Sequence, residues 1–217
     1  MVVNCAKHNI SYFGVPKCAS SSLKALLYQA EHGVEFVPYT GKNGRRVHIH
    51  NVYPTRPFAE VGSSRLEGAW TFAMVRNPLA RISSCYKNRI LTGPASKRLK
   101  SGDPVAEEMG LAANPTLDAF VSRLEDFRTF DKDVWWHTAP LVYFLGDDAS
   151  FYSALFDMSE LASCYEALKK HIGNLPALPH LQRRGQHLEV GSFSSKSIDK
   201  IRDTYAKDFQ VYGSYFA

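Results

Sequence analysis

Two stretches of the chain are nearly all apolar: residues 10–15 (ISYFGV) and 70–75 (WTFAMV), with Ser11 and Thr71 the polar positions. Runs this apolar on both alternating positions predict strands buried on both faces, as at the centre of a parallel sheet. Each run leads into a helical pattern. After the first, Leu23, Leu26, Leu27 and Ala30 recur at helix spacing to about His32, with Ser20 or Ser21 as the expected cap and Gly33 just past the end. After the second, Asn77 is the expected cap and Pro78 the first helical residue, with Leu79, Ile82, Tyr86 and Ile90 as the buried stripe. Arg81, Ser84 and Asn88 fall together on another side of that helix.

Between and beyond these elements the pattern is weaker. Residues 34–39 read as a short strand and 41–44 as a turn. Residues 47–52 (VHIHNV) alternate, which predicts a short strand with His48 and His50 on one side. Residues 92–104, with two glycines and two prolines, read as a surface loop. Leu117, Phe120, Val121 and Leu124 predict one helix over 115–127, and residues 134–145 are aromatic-rich with mixed period. A late strand is expected over 152–156, then a helix capped by Ser159 and running to Ile172. A segment with Pro176 and Pro179 leads to LQRRGQH, and Ile198, Ile201 and Tyr205 mark a terminal helix over 195–209. Alternating strands and helices predict an α/β fold with a parallel sheet.

Composition narrows this picture. At 217 residues, 45% apolar and 22% charged, the chain reads as one globular domain spanning 1–217. Mean hydropathy is −0.25, and no run approaches the ~18 apolar residues of a membrane span. The start, MVVNCAKHNISYFGV, has no basic region followed by an apolar stretch, so no leader is read and a cytoplasmic protein is expected. Cys5, Cys18, Cys85 and Cys164 are scattered without metal-ligand spacing, as for reduced thiols, and no metal site is expected. The net charge of +5 favours an anionic ligand. The basic stretches at 97–100 and 182–184 are too short, and lack the interleaved aromatics, to predict a nucleic-acid surface.

The anion has a place to bind. The first strand stops at Pro16, and Lys17, Cys18, Ala19, Ser20, Ser21 and Ser22 follow before the helix. Small residues let the backbone approach a ligand, and N–H groups of the loop and first helical turn point at an anion, with Lys17 beside it as a point charge. Cys18 reads as packing and backbone contact. The second strand ends in Arg76, whose planar fork suits phosphate. Two anion sites at strand ends suggest a nucleoside carrying phosphates at both ends. A kinase-type loop, GxxxxGK[ST], is absent, since Lys17 opens the loop and no glycine lies in it.

PKCASSSLKALL resembles the 5′-phosphosulfate-binding motif of sulfotransferases. FAMVRNPLARISSCYKNRI resembles their 3′-phosphate-binding motif, with Arg76, Asn77, Pro78, Arg81, Ser84 and Tyr86 in its places. WWHTAPLVYFL, LFDMSEL, LPHLQ and IRDTYAKDFQVYG are similar to later stretches of the carbohydrate-type sulfotransferases. The resemblance runs over most of the chain. It implies a three-layer α/β/α fold around a mostly parallel sheet, akin to that of P-loop nucleotidases. The implied donor is 3′-phosphoadenosine 5′-phosphosulfate, with no metal. The implied acceptor is a hydroxyl, with a glycan or glycolipid expected. Lys17 would neutralise charge on the leaving phosphate oxygen, the loop from Cys18 to Ser22 would hold the 5′ end, and Arg76 and Ser84 would hold the 3′-phosphate. Arg183 and Arg184 fall where some members close a basic loop. A general base is needed for a hydroxyl. His50 is the first choice; His48, His137 and the carboxylates Glu35 and Glu60 are the alternatives. The competing readings are a nucleotide-dependent kinase of P-loop-like design and a non-catalytic nucleotide- or carbohydrate-binding module.

Overall fold

The computed structural model describes residues 2–61, 66, 68–178 and 193–217. In chain order the strands are β1 (Val3–Cys5), β2 (Ile10–Phe13), β3 (Tyr39–Thr40), β4 (Arg46–Val47), β5 (Trp70–Val75) and β6 (Ala154–Asp157). The helices are α1 (Ser20–His32), α2 (Ile49–Val52), α3 (Pro78–Cys85), α4 (Pro94–Lys100), α5 (Pro104–Glu108), α6 (Leu117–Ser122), α7 (Leu124–Phe130), α8 (Lys132–Thr138), α9 (Leu141–Leu145), α10 (Leu161–Ile172), α11 (Ser195–Thr204) and α12 (Ala206–Tyr212). The chain divides into two compact units: Met1–Arg76 with Leu141–Arg183 and Val211–Ala217, and Asn77–Pro140 with Arg184–Gln210.

The first unit is mixed α/β around a mostly parallel sheet of order β1-β2-β5-β6. The two apolar runs form its inner strands. β2 and β5 pair in parallel with Ile10 opposite Trp70 and Phe13 opposite Ala73, and β6 continues in parallel with Phe72 opposite Ala154. Every residue of β2 is buried, as an inner strand covered on both faces requires. β1 is antiparallel, Val3 opposite Tyr12, and at three residues it carries no readable period. Tyr12 stacks on Phe72 with ring centroids 4.8 Å apart across the parallel pair.

Several local expectations change. Of the 47–52 stretch only Val47 is strand, as the end of β4, which closes a hairpin with Tyr39–Thr40 around the turn at Gly41 and Gly44. The rest is α2, because Asn51 Oδ1 accepts the His48 N–H at 2.8 Å and closes a first helical turn. Six alternating residues are too few to outweigh that local bond. His48 therefore sits at the helix start and His50 within the turn, and the shared side expected of a strand is lost. The expected loop over 92–104 contains α4, with Pro94 at the helix start and Ala95 and Leu99 buried. There the proline is a start signal rather than a breaker. α10 is preceded by a capping box whose cap, Asp157, lies two residues before Ser159: Asp157 accepts from the Ser159 N–H and Glu160 accepts from the Asp157 N–H, both at 2.8 Å.

The second unit is helical. Leu79, Ile82, Tyr86, Phe120, Val121, Leu124, Phe127, Val134, Ile201 and Tyr205 form one core cluster. The stripe predicted for α3 is buried as expected, and Asn77 Oδ1 caps it by accepting the Leu79 N–H at 3.0 Å. After Cys85 the helix widens into a π-helical segment, Tyr86–Leu91. The helix expected over 115–127 is two, α6 and α7, because Arg123 leaves helical geometry (ψ +30°). Tyr205 breaks the terminal helix in the same way (ψ +24°) between α11 and α12. The expectations for Pro179, the LQRRGQH stretch, Arg183 and Arg184 lie outside the described residues.

Candidate active site

The site grows from the exit of β2. Gly14 and Val15 continue from the strand, and Pro16, Lys17, Cys18 and Ala19 turn into α1. The turn closes where the Cys18 N–H donates to the Val15 carbonyl at 3.3 Å. That bond uses a donor the sequence reading had offered to the ligand. The Cys18 side chain is fully buried, so its part here is packing. Lys17 (φ +67°) and Ala19 (φ +52°) are both left-handed, although neither is glycine. Such positions cost about 1–3 kcal/mol each and persist where the surroundings over-determine them.

The consequence is at the helix start. Neither Ser20 nor Ser21 caps α1; the cap position is Ala19, and no side chain bonds to the first turn from there. Ser20 is instead the first helical residue and is buried, while Ser21 and Ser22 are half-buried. The first N–H groups of a helix have no intrahelical acceptor, and together with the helix dipole they favour an anion. Arg76 follows β5, the parallel neighbour of β2. Its Nη1 donates to the Lys17 carbonyl at 3.4 Å. The guanidinium and the lysine-led loop therefore meet at the carboxyl ends of two adjacent parallel strands, where open α/β sheets bind ligands.

His50 reaches the same place from α2. Its Nε2 lies 2.7 Å from Ser21 Oγ, and its Nδ1 lies 3.3 Å from Lys24 Nζ. Lys24 also donates to Thr55 Oγ1 at 2.8 Å. Lys24 and Thr55 had no place in the sequence reading. The available signal was a lysine next to Leu23 and two residues before Leu26, inside the apolar stripe of α1. The remaining base candidates are placed elsewhere. His48 is exposed at the start of α2, Glu35 is exposed, and Glu60 pairs with Arg56 at 3.2 Å. His137, in the helical unit, accepts from Arg89 at Nε2 (2.9 Å) and faces the Asp133 carbonyl from Nδ1 (2.6 Å). Ser84 is half-buried on α3, and its carbonyl accepts from Asn88 at 2.9 Å.

Lys24 is 0% exposed, and burial lowers its pKa from the ordinary 10.5 to about 8. The folded protein thus holds this proton more weakly than the unfolded chain does. Between pH 8 and 10.5 the unfolded state binds more protons, so this group makes stability rise with pH across that window. Urea unfolding at pH 7.5 and 10 should show the rise for the wild type, beyond that of a Lys24→Met variant. Parallel pH dependences would disprove the assignment.

All four cysteines are free thiols and buried. Among the described residues no cluster of His, Cys, Asp or Glu is arranged to hold a metal ion, and no helix is long and apolar enough to cross a membrane.

The chain is a mixed α/β protein whose lysine-led loop joins a buried parallel strand to α1 at the carboxyl edge of the sheet, the edge where open α/β sheets bind ligands. The model of the sulfotransferase family matches residues 1–216, and the chain belongs to that family. No curated protein and no solved structure matches the chain.

Proposed function

We propose that the chain transfers the sulfuryl group of 3′-phosphoadenosine 5′-phosphosulfate to a hydroxyl of an acceptor, with a sugar hydroxyl of a glycan or glycolipid as the substrate class. The observation that carries this reading is the meeting of Arg76 with the Lys17 carbonyl beside the uncapped start of α1. It gives one nucleotide two cationic side chains on adjacent strand ends. Lys17 and the N–H groups from Ala19 to Ser22 take the 5′-phosphosulfate, Arg76 takes the 3′-phosphate, and the motif adds Ser84 to that role. Residues 1–217 act as one sulfotransferase domain, in the three-layer arrangement of the P-loop-like members, working in the cytoplasm.

The transfer is an in-line displacement in which the protein positions groups and stabilises shifting charge. The acceptor O–H bond breaks and its proton goes to His50 Nε2. A new O–S bond forms as the bond from sulfur to the 5′-phosphate oxygen breaks, and that oxygen leaves with the electron pair beside the Lys17 ammonium. The hydrogen bond of His50 to Ser21, in the first turn of α1, supports this choice of base.

Thermal-shift titration tests the nucleotide. Adenosine 3′,5′-bisphosphate, without added metal, should stabilise the protein more than AMP or ATP does. At a hundredfold excess over Kd the gain is about 2.7 kcal/mol, or roughly 5–10 °C for a chain of this size. Equal stabilisation by AMP would remove the 3′-phosphate role of Arg76, and a preference for ATP with magnesium would favour a kinase.

A further inference from the structure

Lys24 stands three residues after Ser21, so both project from one face of α1. Its ammonium lies under the exit of β2. A Cβ added at Gly14 would come within 3.0 Å of Lys24 Cε and 3.5 Å of Nζ, so the glycine leaves room for it. Among the described residues no carboxylate pairs with it; its partners are Thr55 Oγ1 and His50 Nδ1. A buried lysine bonded only to neutral groups is costly unless its charge can be given up.

The direction of these bonds follows from donor counts. An ammonium has three donors and no acceptor. While Lys24 is charged, His50 Nδ1 must accept, the ring proton sits on Nε2, and Nε2–H donates to Ser21 Oγ. In that form Nε2 cannot take a proton. A neutral Lys24 amine has a lone pair, so it can accept from Nδ1–H, and Nε2 is then a base.

We propose that Lys24 is a positioning residue for His50: its charge state decides which ring nitrogen carries the proton, and it receives the Nδ1 proton when Nε2 takes one from the acceptor hydroxyl. This rests on His50 being the base. The step balances. One proton moves from the acceptor oxygen to Nε2, one from Nδ1 to Lys24 Nζ, and the ring ends neutral as it began. The resulting ammonium returns its proton to water between turnovers. In its charged form the same chain of bonds, Lys24 to His50 to Ser21, lets the Ser21 hydroxyl donate to an anion in the loop.

Burial places the loss of the Lys24 proton at about pH 8, within working range. Other titratable groups on the neighbouring elements include Tyr12 on β2, Cys18 in the loop and Tyr28 on α1. With them stand Lys17 and Arg76 at the loop, Glu31 and His32 on α1, Cys5, Lys7 and His8 from β1 and the turn after it, and His48, Tyr53, Arg56 and Glu60 around and after α2. Glu31 accepts from the Lys7 N–H, His32 faces the Tyr53 hydroxyl and Glu60 pairs with Arg56.

Ring ¹⁵N NMR of His50 in the full ligand-free chain, assigned by its loss in His50→Gln, reads the tautomer directly. At pH 7 the wild type should show Nε2 protonated and Nδ1 bare, changing toward Nδ1–H in a step near pH 8. Lys24→Met should abolish the step. Thr55→Val, which removes a hydroxyl that stabilises the ammonium, should move it to lower pH and covers the case in which Lys24→Met does not fold. The kcat profile of the wild type should rise through the same pH as the NMR step, and in Lys24→Met that limb should fall toward the ~6.5 of an ordinary imidazole. An Nδ1 protonated at pH 7, or a ring that titrates identically in the variants, overturns the inference while leaving adenosine 3′,5′-bisphosphate binding intact. Loss of that binding preference would instead overturn the transferase reading beneath it. A kcat limb unrelated to the NMR step removes His50 as base and the relay with it.

Discussion

Lys17→Ala should lower kcat by about 10²–10³-fold, the usual loss when a preorganised group facing developing charge is removed. Nucleotide binding should fall much less. In the proposed transfer the charge facing Lys17 is greatest in the transition state, when the phosphate oxygen takes the electron pair, so its loss should weigh on kcat more than on ground-state affinity. The substitution is a clean one. Lys17 has φ +67°, a left-handed backbone that alanine occupies at the same steric cost, so the turn from Val15 to Cys18 should persist. Lys17→Arg should not restore full activity, because a guanidinium is a broad planar fork and this position calls for a compact point charge. Steady-state kinetics with a labelled donor, together with titration of adenosine 3′,5′-bisphosphate, separate the two effects. A wild-type kcat in Lys17→Ala would move the leaving-group role to another cation.

The largest stability effect is expected at Arg81. It lies in the second motif, three residues beyond Pro78, and the sequence placed it on a polar side with Ser84. In the helical unit it is 1% exposed. Its Nη2 donates to the Ala139 carbonyl at 2.8 Å and its Nη1 faces Asp208 at 3.9 Å, itself 0% exposed. Nε and Nη1 have no hydrogen-bond acceptor among the described residues. A charge this deeply buried depends on its counter-ion. Asp208→Leu or Arg81→Met should each cost roughly 3–5 kcal/mol by leaving one charge uncompensated, while the double variant Arg81→Met/Asp208→Leu should recover a good part of it. Urea unfolding of the three variants measures this. Additive losses in the double variant would show that the two charges do not depend on each other.

Arg81 and Ser84 illustrate what a motif conveys. The sequence pattern R-N-P-x-x-R-x-x-S marks positions that matter without separating ligand contact from internal support. Arg76 meets the Lys17 loop, Asn77 caps α3 and Pro78 starts it, while Arg81 turns into the core. Only burial and partners divide these roles. The same holds for His48 and His50, which an alternating pattern treats alike. A single side-chain-to-backbone bond from Asn51 turned the segment into a helix and sent His50 alone to Ser21.

By itself the sequence determined the inner strands, the first turn of α3, the lysine-led loop between β2 and α1 and the family. These are local matters: long apolar runs have one good burial solution, and Asn77 with Pro78 specifies a helix start within a few residues. The tertiary structure alone decided the edge strand β1, the breaks at Arg123 and Tyr205, the uncapped start of α1 at Ala19, and the partners of Lys24 and Arg81. The physical reason is that a buried charge is defined by what surrounds it. Lys24 meets His50 and Thr55 from residues 26 and 31 positions away, and Arg81 meets the Ala139 carbonyl from 58. No local pattern encodes such distances, and only folding brings those atoms to bonding range.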